Sequence, residues 1–310
     1  MTTSTNLRGP SLMHRIWRDR WIYVFLLPTT LLLGGFTIYP MAASIWFSLL
    51  DWNGFERAGE FIGFANYAEL VADPLFWNAF RNTLVFLAIA VPLRVGLALL
   101  LAILLNEALP LSRVFRTAIF LPVVTTAAIV GVVMRYVLDP TSGPINVALM
   151  SAGLLDRPMN FLGQAGLALY SAVGVWVWKW LGITLIYWLA ALQTIPRDAL
   201  EAADMDGANA WDRFRTITLP LLTPFTIIIT LITVIEATNV FDLMLTLTGG
   251  GPFYATEVID IFVYRQAFTS SVPRLGYASA AALFFGVCFM LLAIVQVVVV
   301  ARLRRGRVAS

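Results

Sequence analysis

Residues 196–224 read PRDALEAADMDGANAWDRFRTITLPLLTP, a polar stretch set between two long apolar segments. Pro196 suits the first position of a helix, where its missing N–H has no intrahelical acceptor to lose, and residues 197–206 are mostly good helix formers. A short helix is therefore predicted here. Ala199, Ala202 and Ala203 fall at i, i+3 and i+4, a small-residue face that permits close approach, while Glu201, Asp204 and Asp206 remain for solvent or a partner. Gly207 weakens the helix where a bend is needed. Asn209 can cap a second short helix, with Trp211 and Phe214 on one side of it. The expected local structure is a helix-turn-helix lying along a membrane surface.

Of 310 residues, 59% are hydrophobic and 13% charged, too apolar a balance for an ordinary soluble domain. The expected class is an all-α integral membrane protein in contact with a lipid bilayer. The single cysteine, Cys288, sits in an apolar run and the single histidine, His14, near the N-terminus, so no disulfide framework or Cys/His metal site can be built. A Walker A loop needs a Gly-rich turn followed by Lys and Ser/Thr, because backbone amides and the lysine together hold the phosphates. The sole lysine, Lys179, stands in Trp-Lys-Trp. No bound cofactor is expected on this chain, and an ATP-driven cycle would need another subunit. With a net charge of +3 and arginines at the ends of apolar segments, there is no nucleic-acid signal.

Six apolar segments, about 21–48, 82–106, 115–138, 165–192, 221–246 and 277–301, can each cross a bilayer, which takes about 20 helical residues. The first is too long for the apolar core of a signal peptide. An even number of spans leaves the tails, 1–20 and 303–310, on one side together with the loop 193–220. Basic residues gather on that side: Arg8, Arg15, Arg18 and Arg20; Arg113 and Arg116; Arg197, Arg213 and Arg215; Arg302, Arg304, Arg305 and Arg307. The positive-inside rule then places both termini and the 193–220 loop in the cytoplasm. On the other side, residues 51–81 read as an aromatic and acidic cap with an interfacial helix. Residues 139–144 and 248–252 are turn formers.

Glu201-Ala202-Ala203, three residues, Gly207, nine residues, then Ile217-Thr218-Leu219-Pro220 resembles the EAA loop of the permease subunits of binding-protein-dependent ABC importers. The similarity extends from about Tyr23 to Arg302, through Tyr39-Pro40, Phe115-Arg116-Thr117 with Leu121-Pro122, Gly143-Pro144-Ile145-Asn146, and Leu192-Gln193 before Ile195-Pro196. Residues 247–252, Leu-Thr-Gly-Gly-Gly-Pro, with Phe241-Asp242 before them and Tyr264 and Ala267-Phe268 after, resemble the sugar permeases of that family. The resemblance implies a type I importer transmembrane fold of residues 21–302 in a bacterial cytoplasmic membrane. It implies a second, similar permease subunit, two copies of a cytoplasmic ATPase that binds ATP and Mg, and an extracytoplasmic sugar-binding protein. Docking on the ATPase is expected from Glu201, Ala202, Ala203, Asp206 and Gly207. The expected cargo is a di- or oligosaccharide, with a polyol or a glycerophosphate ester as the alternative, and the two permeases are expected to differ, with a homodimer as the alternative.

A charge at the bilayer centre costs roughly 2.5–3.5 kcal/mol on insertion scales, so each asks for a partner or a wet cavity. Lys179 lies mid-span between Trp178 and Trp180, with Tyr187 further along. Glu236, Asn239 and Asp242 recur every three residues, which on a continuous helix gives them part of one face. Two readings follow. In one, Trp178, Lys179, Tyr187, Glu236, Asn239 and Asp242 line a translocation cavity, where polar groups bond sugar hydroxyls and rings stack on the sugar face. In the other, Lys179 pairs with Glu236 or Asp242 and the aromatics pack. Arg94 is read as structural. A membrane-embedded hydrolase lacks any nucleophile or metal motif. A proton-coupled carrier fits the acids, yet leaves the EAA spacing unexplained and would more often show two matched halves.

Overall fold

A computed structural model describes residues 20–57, 59–106 and 112–308; His14 and the arginines before Arg20 lie outside the described residues, as do the side chains of the last four arginines. The chain is a succession of helices: α1 (Arg20–Phe47), α2 (Ala65–Ala72), α3 (Pro74–Asn106), α4 (Ser112–Val124), α5 (Ala127–Val137), α6 (Pro144–Ser151), α7 (Ala165–Leu192), α8 (Arg197–Met205), α9 (Ala210–Thr238), α10 (Phe241–Leu247), α11 (Ile259–Tyr264) and α12 (Leu275–Val308). A two-residue antiparallel pair, β1 (Leu50–Asp51) with β2 (Glu60–Phe61), follows α1.

Among the described residues, α1, α3, α7 and α9 are each long and apolar enough to cross a membrane. The helices differ from the sequence expectation at three of the segments. The expected second span starts early, at Pro74, because Phe76 and Phe80 continue the helix and pack against Phe262 and Phe285 beyond the apolar run. The expected third span is two helices, α4 and α5, bent by 104°. The expected fifth span, 221–246, is α9 shifted toward the N-terminus, followed by the separate α10.

The shift of α9 revises the predicted helix-turn-helix. Its second helix is not a short surface element but the foot of a 29-residue helix running from Ala210 to Thr238. Pro220 does not stop it, because Phe214–Thr218 forms a wider turn in which the Leu219 N–H donates to the Phe214 carbonyl. The helix ends where Asn239 leaves helical geometry, at φ −102° and ψ 66°.

The larger core lies among α3, α7, α9 and α10, built on Phe86, Trp176, Trp188, Leu222 and Met244. A smaller one joins α2, α3, α11 and α12 through Leu70, Phe76, Ile259, Phe262 and Tyr277. In contrast, α1 buries none of its membrane-length window, and its last turns meet α12. Small residues set the closest contacts, as membrane helix packing favours. A Cβ on Gly182 of α7 would stand 2.6 Å from the Ile119 carbonyl oxygen and 2.7 Å from Phe120 Cα of α4, both backbone atoms unable to swing aside. Gly96 on α3 faces open space. Gly182→Val should therefore destabilise the protein by about 1–3 kcal/mol, read as a lower unfolding temperature in detergent, whereas Gly96→Ala should leave that temperature unchanged or raise it.

Candidate functional site

The polar loop is built by local rules. Pro196, at φ −61° and ψ 130°, stands at the N-cap of α8, one place before the expected position, and Asp198 lies in the first turn, where a negative charge favours the helix dipole. At the other end the Ala208 N–H donates to the Ala203 carbonyl and the Gly207 N–H to the Asp204 carbonyl, closing the helix with Gly207 at φ +76°. This paired arrangement needs a left-handed residue, which glycine adopts without a Cβ clash. Two residues on, the Asn209 side chain accepts the N–H groups of Trp211 and Asp212, both at 2.9 Å, and starts α9. The rings of Trp211 and Phe214 lie together, centroids 5.7 Å apart.

The alanine face is split between two surroundings. Ala203 is buried within this chain, with Leu200 against the core beside it, so Ala203 does not offer the close approach to a partner that its spacing implied. Glu201, Ala202, Asp206 and Gly207 are exposed. Asp204 is taken up by Arg213 at 2.6 Å, tying α8 to the foot of α9, although an exposed pair of this kind adds little stability. Met205, 89% exposed, and Trp211, 65% exposed, add apolar surface to the loop that the reading of the sequence did not assign to docking. A methionine in the last turn of a polar helix was the available signal.

Inside the bundle the central group is Arg94 of α3, fully buried. Its Nη2 lies 2.7 Å from Glu236 Oε2 of α9, its Nε donates to Thr184 Oγ1 of α7 at 2.7 Å, and its guanidinium carbon sits 4.8 Å from the Trp176 ring centroid. Three helices therefore meet on one side chain. The approach to Glu236 is a charge contact whose alignment falls short of a hydrogen bond, and Arg94 Nη1 and Trp176 Nε1 have no acceptor among the described residues. The Glu236 side chain is 32% exposed, so the cluster opens outward on that side. Tyr187 is half-buried against the same core.

The remaining intramembrane residues are placed differently from their sequence reading. Lys179 pairs with neither Glu236 nor Asp242. Its Nζ donates to the Thr125 carbonyl at 2.6 Å and the Pro122 carbonyl at 3.4 Å, and stands 4.1 Å from the Trp180 ring centroid. The bend between α4 and α5 releases these carbonyls from the helical ladder, and a lysine on the facing helix is the donor within reach. Lys179 is thus buried and taken up, and does not face a sugar cavity. Trp178 borders a separate, almost wholly apolar cavity of about 470 Å³ with Met134, Leu138 and Phe161. Glu236, Asn239 and Asp242 do not share one helical face, because the helix breaks at Asn239 and restarts at Phe241; Asn239 and Asp242 are both exposed.

Apolar helices round a buried charge cluster, with a polar, glycine-closed helix hung between two of them, are the build of a membrane transport subunit. The chain belongs to the family of binding-protein-dependent transport system inner membrane components, whose profile matches residues 94–305, more than half its length. The lactose transport system permease protein LacF of Rhizobium radiobacter is 32% identical over 260 residues, covering 83% of this chain and 86% of that one. The sn-glycerol-3-phosphate transport system permease protein UgpA of Pectobacterium atrosepticum is 30% identical over 255 residues, with 82% and 85% covered. Among solved structures, one chain of a bacterial alginate ABC transporter, crystallised in complex with an alginate pentasaccharide-bound periplasmic protein, superposes with a TM-score of 0.79 at 27% identity. That match covers 95% of this chain and 97% of the other. The fold is accordingly the all-α type I importer permease, the protein a multi-pass inner membrane component, and its family role transport.

Removing one member of a buried ion pair leaves the other uncompensated, at a cost of about 3–5 kcal/mol. Because Glu236 is one-third exposed, Arg94→Met should cost about 3 kcal/mol, the low end of that range. Replacing both, Arg94→Met with Glu236→Met, should recover most of the unfolding temperature in detergent.

Proposed function

We propose that this chain is one of two different permease subunits of an ABC importer for a carbohydrate, with both termini in the cytoplasm. Two copies of a separate ATPase would carry ATP and Mg, and an extracytoplasmic binding protein would deliver the sugar. The observation that carries the coupling role is the continuity of the loop with the bundle. Gly207 closes α8, Asp204 and Arg213 join it to α9, and α9 then runs unbroken over 29 residues, roughly 40 Å, to the end bearing Glu236.

A push on α8 by a closing ATPase is delivered along that rod to the Arg94 cluster. Directly beyond it, Asn239 and Val240 are non-helical and provide the hinge at which α10 can stay in place. ATP hydrolysis thereby biases a two-state helix arrangement that opens the cavity to one side or the other. Docking rests on Glu201, Ala202, Asp206 and Gly207, with Met205 and Trp211 supplying apolar contact. Glu236, Asn239 and Asp242, the partly or fully exposed groups at that end of α9, are the groups for sugar hydroxyls. The named roles of the relatives, in lactose, sn-glycerol-3-phosphate and alginate transport, support a hydroxyl-rich cargo.

A Cβ at Gly207 meets no atom within 4 Å, so a substitution there acts through the backbone alone. Gly207→Val places a β-branched residue in the left-handed region at about 1–3 kcal/mol. Sugar uptake and recovery of the ATPase with the tagged permease should each fall at least tenfold, while the amount inserted in the membrane stays constant. Gly207→Asn, which tolerates this conformation, should keep most of both. Full uptake by the valine variant would remove the coupling role.

A further inference from the structure

At the end of the bundle away from α8, a second cavity of about 530 Å³ opens between the first turns of α3, the start of α7 and the loop at Phe253. Its lining is polar where the Trp178 cavity is apolar: Asn78, Arg81 and Asn82 come from α3, Tyr170 from α7, and Phe253 stands at its edge. No acidic side chain lines it, and Arg81 is exposed with no hydrogen bond, ion pair or ring contact among the described residues. The neighbouring cation already has a counter-charge, since Arg265 Nε lies 2.7 Å from the buried Glu257. Ala165 and Gly166 form the remaining wall as the first residues of a 28-residue helix, and that end carries partial positive charge.

The walls are held in place. Asn78 and Asn82 donate to the Tyr254 carbonyl at 2.8 and 3.1 Å, and Asn82 also to the Glu257 carbonyl at 3.1 Å, which fixes the loop to α3. Phe253, at φ +47°, is 93% exposed at the rim. A free guanidinium presents a planar fork of donors matched to a carboxylate or phosphate. An adjacent exposed ring suits the C–H face of a sugar, and a cavity of this size is within the range of small-ligand sites.

We infer that this cavity is an outer reception site for an anionic sugar unit, a uronate whose carboxylate is bound by Arg81 with its ring against Phe253. The inference rests on the importer reading and deepens it by giving the cargo a negative charge. It concerns a different place from the Arg94 cluster, where the guanidinium already faces Glu236.

The test uses the purified permease and ATPase complex in detergent without its binding protein, titrated by calorimetry with digalacturonate, lactose and inorganic phosphate. Digalacturonate should bind at least tenfold more tightly than either lactose or phosphate. Arg81→Gln should weaken it at least tenfold, Arg81→Lys should restore part of the loss, and Phe253→Ala should weaken digalacturonate without changing phosphate. If Arg81→Gln does not assemble, the Phe253→Ala comparison decides on its own. Equal binding of lactose and digalacturonate, indifference to Arg81→Gln, or phosphate binding as tight as digalacturonate would each overturn the site. Co-purification of the ATPase is read in the same samples, so loss of this site with the ATPase retained leaves the importer reading standing.

Discussion

A bilayer supplies no water to a broken helix, so wherever this chain interrupts one inside the bundle the freed backbone groups need a protein partner. That constraint accounts for the side chains that look anomalous in the sequence. Lys179 answers the carbonyls released at the bend between α4 and α5. At the end of α9, the Asn239 amide donates to the Ile235 carbonyl. At the surface, the same task is done by the Gly207 closure and the Asn209 cap. Each bend is thereby fixed in direction, and the helices between bends behave as stiff units.

The Arg94 cluster belongs to the same logic at the level of side chains. It binds α3, α7 and α9 at one point, with Thr184 and Trp176 offsetting the desolvation of the guanidinium and Glu236 its charge. The α9 rod therefore has one end at the polar loop and the other in a buried charge contact. That connection is what the proposed coupling to a separate ATPase requires.

Much of this was legible in the sequence. Composition and segment length gave the membrane class, and the EAA spacing with Gly207 located the loop, because glycine at a left-handed closure and asparagine at a cap obey local rules. The positions of Lys179 and Glu236 were not legible. A three-residue period places Glu236, Asn239 and Asp242 on one face only if the helix continues, and no residue among Ala237, Thr238 and Val240 announces a break there. Lys179 and Glu236 looked like natural partners by charge, yet the partner of each is set by which helices adjoin: α7 packs on α4 at Gly182, which brings Lys179 to the bend, and α9 meets α3 at Arg94. Ala203 likewise carries the right spacing for docking, but its burial depends on α8 resting on its own bundle.

The central claim is that the exposed side of α8 docks on an ATPase, and it is tested most directly by placing a photo-reactive amino acid at Met205 in the native membrane. Illumination should join this chain to a P-loop ATPase, with a yield that changes when nucleotide is added. Adducts with lipid alone, or with a soluble extracytoplasmic protein, would contradict it.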